Sequence, residues 1–147
     1  MTSQAGVPVR RGKLLTGLAI FFSLAAGVDL LKAFSAPAPD LRGRTAPFGI
    51  VVLGIRHAGP EKTVLGVLFA AFLLFYATGI WRMRRYAMVA AWIYALYMMV
   101  NVPLYVVRNP APPTPGGMIF AIVYLILAVV ITAGSAVALT RRRPELG

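Results

Sequence analysis

Four long apolar runs, at about 14–34, 63–81, 85–107 and 117–140, leave this chain few ways to fold. Each can cross the hydrocarbon core of a bilayer as a helix, which takes about 20 apolar residues. In hydrocarbon every backbone N–H and C=O needs a partner inside the protein, and a helix supplies almost all of them. The runs are continuous rather than alternating, which argues against a β-barrel. With 147 residues, 59% of them hydrophobic, nothing is left over for a separate soluble domain. The expected fold is all-α: a polytopic membrane protein, a four-transmembrane-helix bundle making one domain over 1–147, with a short interfacial segment in its first outer loop.

Charge supplies the topology. Arg10, Arg11 and Lys13 precede the first run, Arg82, Arg84 and Arg85 join the second to the third, and Arg141, Arg142 and Arg143 follow the fourth. If the helices alternate, these nine lie on one side. Lys32, Arg42, Arg44, Arg56, Lys62 and Arg108 lie on the other, with Asp29, Asp40 and Glu61. Basic residues at helix ends resist translocation, so both termini are expected in the cytoplasm, in a bacterial inner (plasma) membrane. The net charge of +11 sits mostly just outside the apolar runs, which makes anionic headgroups the expected partner and not nucleic acid. A rival reading takes Arg10 to Leu24 as a signal peptide with a small-residue site at Ala25-Ala26-Gly27, leaving three helices after cleavage.

The outer loops are expected at 35–62 and 108–116. In the first, Phe48 to Ile55 is an eight-residue apolar stretch, too short to span. It is expected either as a short helix on the interface or tucked back against the bundle. The second, rich in proline, should be extended and stiff.

The third run carries Tyr94, Tyr97, Asn101, Tyr105 and Arg108 at spacings that put all five on one helical face. An asparagine in bare hydrocarbon would leave its amide unpaired at a cost of several kcal/mol, so this face should look into the bundle or at a partner. Pro103 removes the N–H that would bond the carbonyl of Met99, and Asn101 is placed to help satisfy it. Small residues that let helix backbones approach are expected at Ala19, Ser23 and Gly27, at Gly66 and Ala70, at Ala87 and Ala91, and at Ala128.

Asp29 is the one acidic residue well inside an apolar run, about 8 Å below the outer helix end. Lys32 lies one turn on, on the same face. With Asn101, Tyr105, Arg108 and Tyr124 these define an expected outer polar layer, roofed by Arg42, Arg44, Arg56 and His57. Three readings stand. Asp29 pairs with Lys32 or Arg108 and fixes packing; the layer holds a small anion or a lipid headgroup on its Lys and Arg; or Asp29 is a proton or cation site in a transport path.

There are no cysteines and one histidine, which excludes thiolate chemistry and a bis-histidine haem site. No Ser/His/Asp set, paired carboxylates, phosphate loop or metal cluster is present, so neither catalysis nor a cofactor nor a metal is expected. The first expectation is a membrane protein that acts by association, with itself as a homo-oligomer or with a larger membrane complex. The alternative is a small transporter, channel or lipid/anion-binding carrier built on the outer polar layer. A lipid-modifying enzyme at the outer loop comes third.

Overall fold

The apolar runs fold as helices, and the residues around them explain where each one starts and stops. The computed structural model describes residues 12–35, 38–39, 45–46, 50–108 and 115–147, with the backbone alone at 38, 39, 45, 46, 115–118, 120, 121 and 124. Helix α1 is Lys13–Phe34, α2 Gly59–Trp81, α3 Arg85–Arg108 and α4 Pro115–Arg141, followed by a 3-10 turn at Arg143–Glu145. Pro60 opens α2, where its missing N–H costs nothing, and Glu61 stands in the first turn, favourable to the helix dipole. Three residues reverse the chain between α2 and α3, with Met83 at φ 52°.

Helices α1, α2 and α3, at 22, 23 and 24 residues, are long and apolar enough to cross a membrane; among the described residues α4 is apolar over Leu125–Arg141. The chain is thus a mostly helical integral membrane protein. Helix α1 packs chiefly on α2 and α3 on α4, with α2 touching α3 and α1 touching α4 more lightly.

The bundle has two unlike ends. At the arginine end, the start of α1, the α2–α3 turn and the close of α4 converge. The Gly147 N–H donates to the Met83 carbonyl at 3.0 Å, and Arg85 donates through its backbone N–H to Gly147 O and through Nε to Leu146 O. Gly12 faces the guanidinium of Arg142. In this half the core is packed: Leu15, Phe22, Leu73, Tyr76, Ile80, Ala87 and Leu139 are fully buried. The Tyr76 hydroxyl donates to Ser135 Oγ at 2.8 Å, which in turn donates to the Thr132 carbonyl at 2.7 Å. Pairing every polar atom in this way is what makes a tyrosine tolerable there.

At the other end, the last carbonyls of α1 have no partners within their own helix. Residues at the start of α2 supply them. Lys62, buried despite its charge, donates Nζ to Ser35 O at 2.6 Å, and Thr63 Oγ1 donates to Ala33 O at 3.0 Å. The first outer loop follows α1 and carries two small antiparallel ladders: β1 (Ala38–Pro39) with β2 (Thr45–Ala46), and β3 (Ile50–Val52) with β4 (Ile55–His57).

The second ladder corrects the expectation of a short interfacial helix. Ile50, Val51, Val52 and Ile55 are β-branched and stiff at χ1, which suits a strand. Leu53 and Gly54, with φ of 49° and 75°, make the two-residue reversal that matches strand twist. The all-α description therefore gains a β-hairpin, tucked back against the bundle.

The inward stripe of α1 also differs from expectation. Ala19 is buried, but Ser23 and Gly27 are exposed and the buried face runs Leu15, Ala19, Phe22, Ala26, Ala33. A Cβ built on Gly27 meets nothing within 4 Å. The large ring of Phe22, not a small residue, fills the space against Tyr76, with ring centroids 4.7 Å apart. The remaining packing positions, Gly66, Ala70, Ala87 and Ala91, are buried, and Ala128 is half-buried.

Candidate functional site: a hairpin-roofed cavity

The polar face of α3 meets the hairpin. At its centre, Asn101 is buried at 8% exposure and spends both ends of its amide on the hairpin backbone. The Gly54 N–H donates to Oδ1 at 3.0 Å, and Nδ2 donates to the Val51 carbonyl at 3.4 Å. The Tyr97 hydroxyl donates to the same carbonyl at 3.1 Å. Further out, Arg108 Nη1 donates to Leu53 O at 2.8 Å, and Arg56 Nη2 to the Tyr105 hydroxyl at 2.8 Å. Gly54 is pressed against α3: a Cβ there would lie 2.7 Å from the Leu104 carbonyl carbon. The helical stripe read from the sequence is thus a clamp for a segment of the same chain. Asn101 serves the hairpin rather than the carbonyl of Met99, and α3 continues through Pro103.

Beneath the hairpin lies a cavity of about 200 Å³. Helix α1 supplies Asp29 and Lys32 to its wall, and α3 supplies Tyr94, Tyr97, Met98 and Asn101. The floor is Phe69 of α2 and the roof is Ile50 and Val51 of β3. Lys32 Nζ stands 3.7 Å from Asp29 Oδ1, with the lysine side chain 48% exposed and the aspartate side chain 28%. The rings crowd one another. Phe69 and Tyr97 have centroids 5.4 Å apart, and Tyr94 and Tyr97 6.4 Å. Tyr94 packs in turn on Phe22 and Phe72, so the aromatic layer that closes the arginine half is also the inner wall of the cavity.

The expected polar layer therefore divides. Asp29, Lys32 and Asn101 share the cavity. Tyr105, Arg56 and Arg108 lie outside it, occupied with the hairpin. His57 lies apart, beside a shallow apolar depression with Pro60 and Val64, its Nδ1 3.0 Å from Glu61 Oε2. Arg42 and Arg44, and the side chain of Tyr124, lie outside the described residues. Sequence reasoning placed Tyr94 and Tyr97 on the right face without naming them as site residues, and it missed Phe69. The tyrosines were legible from their spacing. Phe69 sits on a helix apolar all round, where no local signal separates an inward ring from a lipid-facing one.

Such a site can bind and orient. Among the described residues no cluster of three His, Asp or Glu side chains could hold a metal ion. The chemistry on offer is one carboxylate, one ammonium, three aromatic rings and hydroxyl oxygens, in a pocket partly shielded from water.

The class defined by these features is a helical membrane protein with three candidate membrane-crossing helices and a hairpin folded back over a cavity at one end of its bundle. No family model matches the chain, and no curated protein or solved structure does so either.

Proposed function

We propose that the chain is a non-catalytic membrane protein that binds a small ligand in the cavity under its hairpin. One observation carries this reading: the membrane-embedded half nearest the loops holds an open, partly polar cavity, where a purely structural bundle would be filled. Among the described residues, Phe22, Leu73, Tyr76, Ile80 and Leu139 fill the arginine half, which favours a one-sided binding site over an open channel. Native mass spectrometry of protein released from bilayers tests the proposal. A retained small molecule is expected in the wild type and lost in Met98→Trp, which fills the cavity. A wild-type spectrum with no bound small molecule under conditions that keep added lipid would count against it.

The reading includes four membrane spans, with α4 as the last. Convergence of α1, the α2–α3 turn and α4 at one end supports an even number of crossings. The arginines at that end orient it to the cytoplasm of a bacterial inner membrane, against anionic headgroups. Tags at the two ends should both be reached only from the cytoplasmic side; reactivity on opposite sides would refute this topology. Association with a second copy or a larger membrane complex is the second reading, supported by the small residues Ser23 and Gly27 left exposed on α1, where a neighbouring helix can approach closely. A stoichiometric protein in the same spectra, in place of a small molecule, would select it.

A further inference from the structure

The residues of the cavity wall also point to a class of ligand, an inference that rests on the cavity being a binding site. We propose that the cavity takes an ammonium group, either of a free small amine or of a lipid headgroup reaching in from the loop-side leaflet.

Among the described residues, two of the cations expected to hold an anion are turned to the hairpin and not to the cavity. Arg108 is bonded to Leu53 O and Arg56 to Tyr105, and neither lines the cavity. The amide of Asn101 spends one of its two N–H donors on Val51. What the wall presents is the Asp29 carboxylate with Lys32 beside it, and the rings of Phe69, Tyr94 and Tyr97. A carboxylate provides the counter-charge for an ammonium, and aromatic faces attract a cation within about 6 Å of the ring centroid. All three rings line the one cavity, so a ligand there meets aromatic carbon as well as the carboxylate.

Lys32 is the remaining positive charge, and its position indicates what the site accepts. Its own ammonium sits next to Asp29, but at 3.7 Å, beyond the roughly 2.7–2.9 Å of a full charge-assisted bond. The side chain is half exposed and its four-carbon stem is flexible, so it can swing to the headgroup level and yield the carboxylate. Lys32 is thus an internal competitor for the site. A volume of about 200 Å³ has room for a cation the size of tetramethylammonium or choline.

The opposing signs of two substitutions make the test. The full chain is reconstituted in phosphatidylglycerol nanodiscs, which contain no amine, and titrated with tetramethylammonium, choline and inorganic phosphate by calorimetry. Saturable binding of the two cations is expected in the wild type, weakened at least tenfold in Asp29→Asn and tightened in Lys32→Gln. Phe69→Leu keeps an apolar side chain of similar size and should weaken binding about threefold through loss of one ring face. It reads the proposal even if Asp29→Asn fails to fold. A second arm doping the nanodiscs with phosphatidylcholine or phosphatidylethanolamine separates the sources. Retention of those lipids that competes with choline assigns the headgroup; choline binding indifferent to them assigns a free amine. Phosphate binding that Lys32→Gln weakens would overturn the ammonium assignment and leave the binding reading standing. Absence of saturable binding by any probe in either arm, with no retained small molecule, would overturn both.

Discussion

Asn101→Ala removes the centre of the clamp between α3 and the hairpin, and its cost can be worked from the contacts. The Gly54 N–H, held at 3.0 Å by Oδ1 in a buried setting, loses that acceptor, and taking away the partner of a buried donor costs about 1–3 kcal/mol. The second bond, to Val51 O, is long at 3.4 Å, and that carbonyl still accepts from Tyr97, so its loss adds little. A central figure of about 2 kcal/mol lowers the ratio of docked to undocked hairpin about 30-fold, since each 1.4 kcal/mol is tenfold. The assay is amide hydrogen exchange in nanodiscs, comparing a peptide over residues 50–57 with peptides from the interior of α3. The hairpin should exchange faster while α3 keeps its protection. Tyr105→Phe serves as control, because its hydrogen bond with Arg56 is exposed and its loss should cost less than about 1 kcal/mol. Unchanged exchange at 50–57 in Asn101→Ala, or a larger effect from Tyr105→Phe, would refute the account of Asn101 as the centre of the clamp.

Other expectations test the packing. Gly54→Ala places a methyl at positive φ and within 2.8 Å of the Leu104 carbonyl oxygen, so it should undock the hairpin more completely than Asn101→Ala in the same exchange experiment. Gly66→Ala drives a Cβ to 2.5 Å from that of Ala33 and 2.6 Å from Ile50, and overpacking of this kind costs about 1–3 kcal/mol; Gly27→Ala, which meets nothing, should melt within about 0.5 kcal/mol of wild type or above it. Equal melting of the two variants in detergent would contradict the observed orientation of α1. In the core, Ser135→Ala orphans the Tyr76 hydroxyl donor, whereas Tyr76→Phe leaves Ser135 its bond to Thr132 O. The serine variant should lose about 1–2 kcal/mol and the phenylalanine variant about half of that, by equilibrium unfolding in mixed micelles; the reverse order would show that the hydroxyl pair is not what holds Tyr76.

The sequence alone determined the four helices and the grouping of charge. Both are local properties: a continuous apolar run is a helix in lipid whatever its neighbours, and arginines beside its ends stay with those ends. It also determined that Tyr94, Tyr97, Asn101, Tyr105 and Arg108 share a face, because helical periodicity needs no tertiary information. What that face meets was another matter. Gly54 and Asn101 are 47 residues apart, and nothing local in α3 says that its polar stripe grips a hairpin of its own chain. The hairpin itself left a partial trace in the β-branched run broken at Leu53-Gly54, but an apolar run of that length is equally compatible with a short helix. The inward face of α1 went the same way. Ser23 and Phe22 are neighbours about 100° apart on the helix, and only the position of Tyr76 on α2 decides which of them is buried. The split of the polar residues, Asp29 and Lys32 to the cavity, Arg56 and Arg108 to the clamp, was likewise decided by tertiary contact. Each charge goes to the acceptor within its reach, and that reach exists only once the chain has folded.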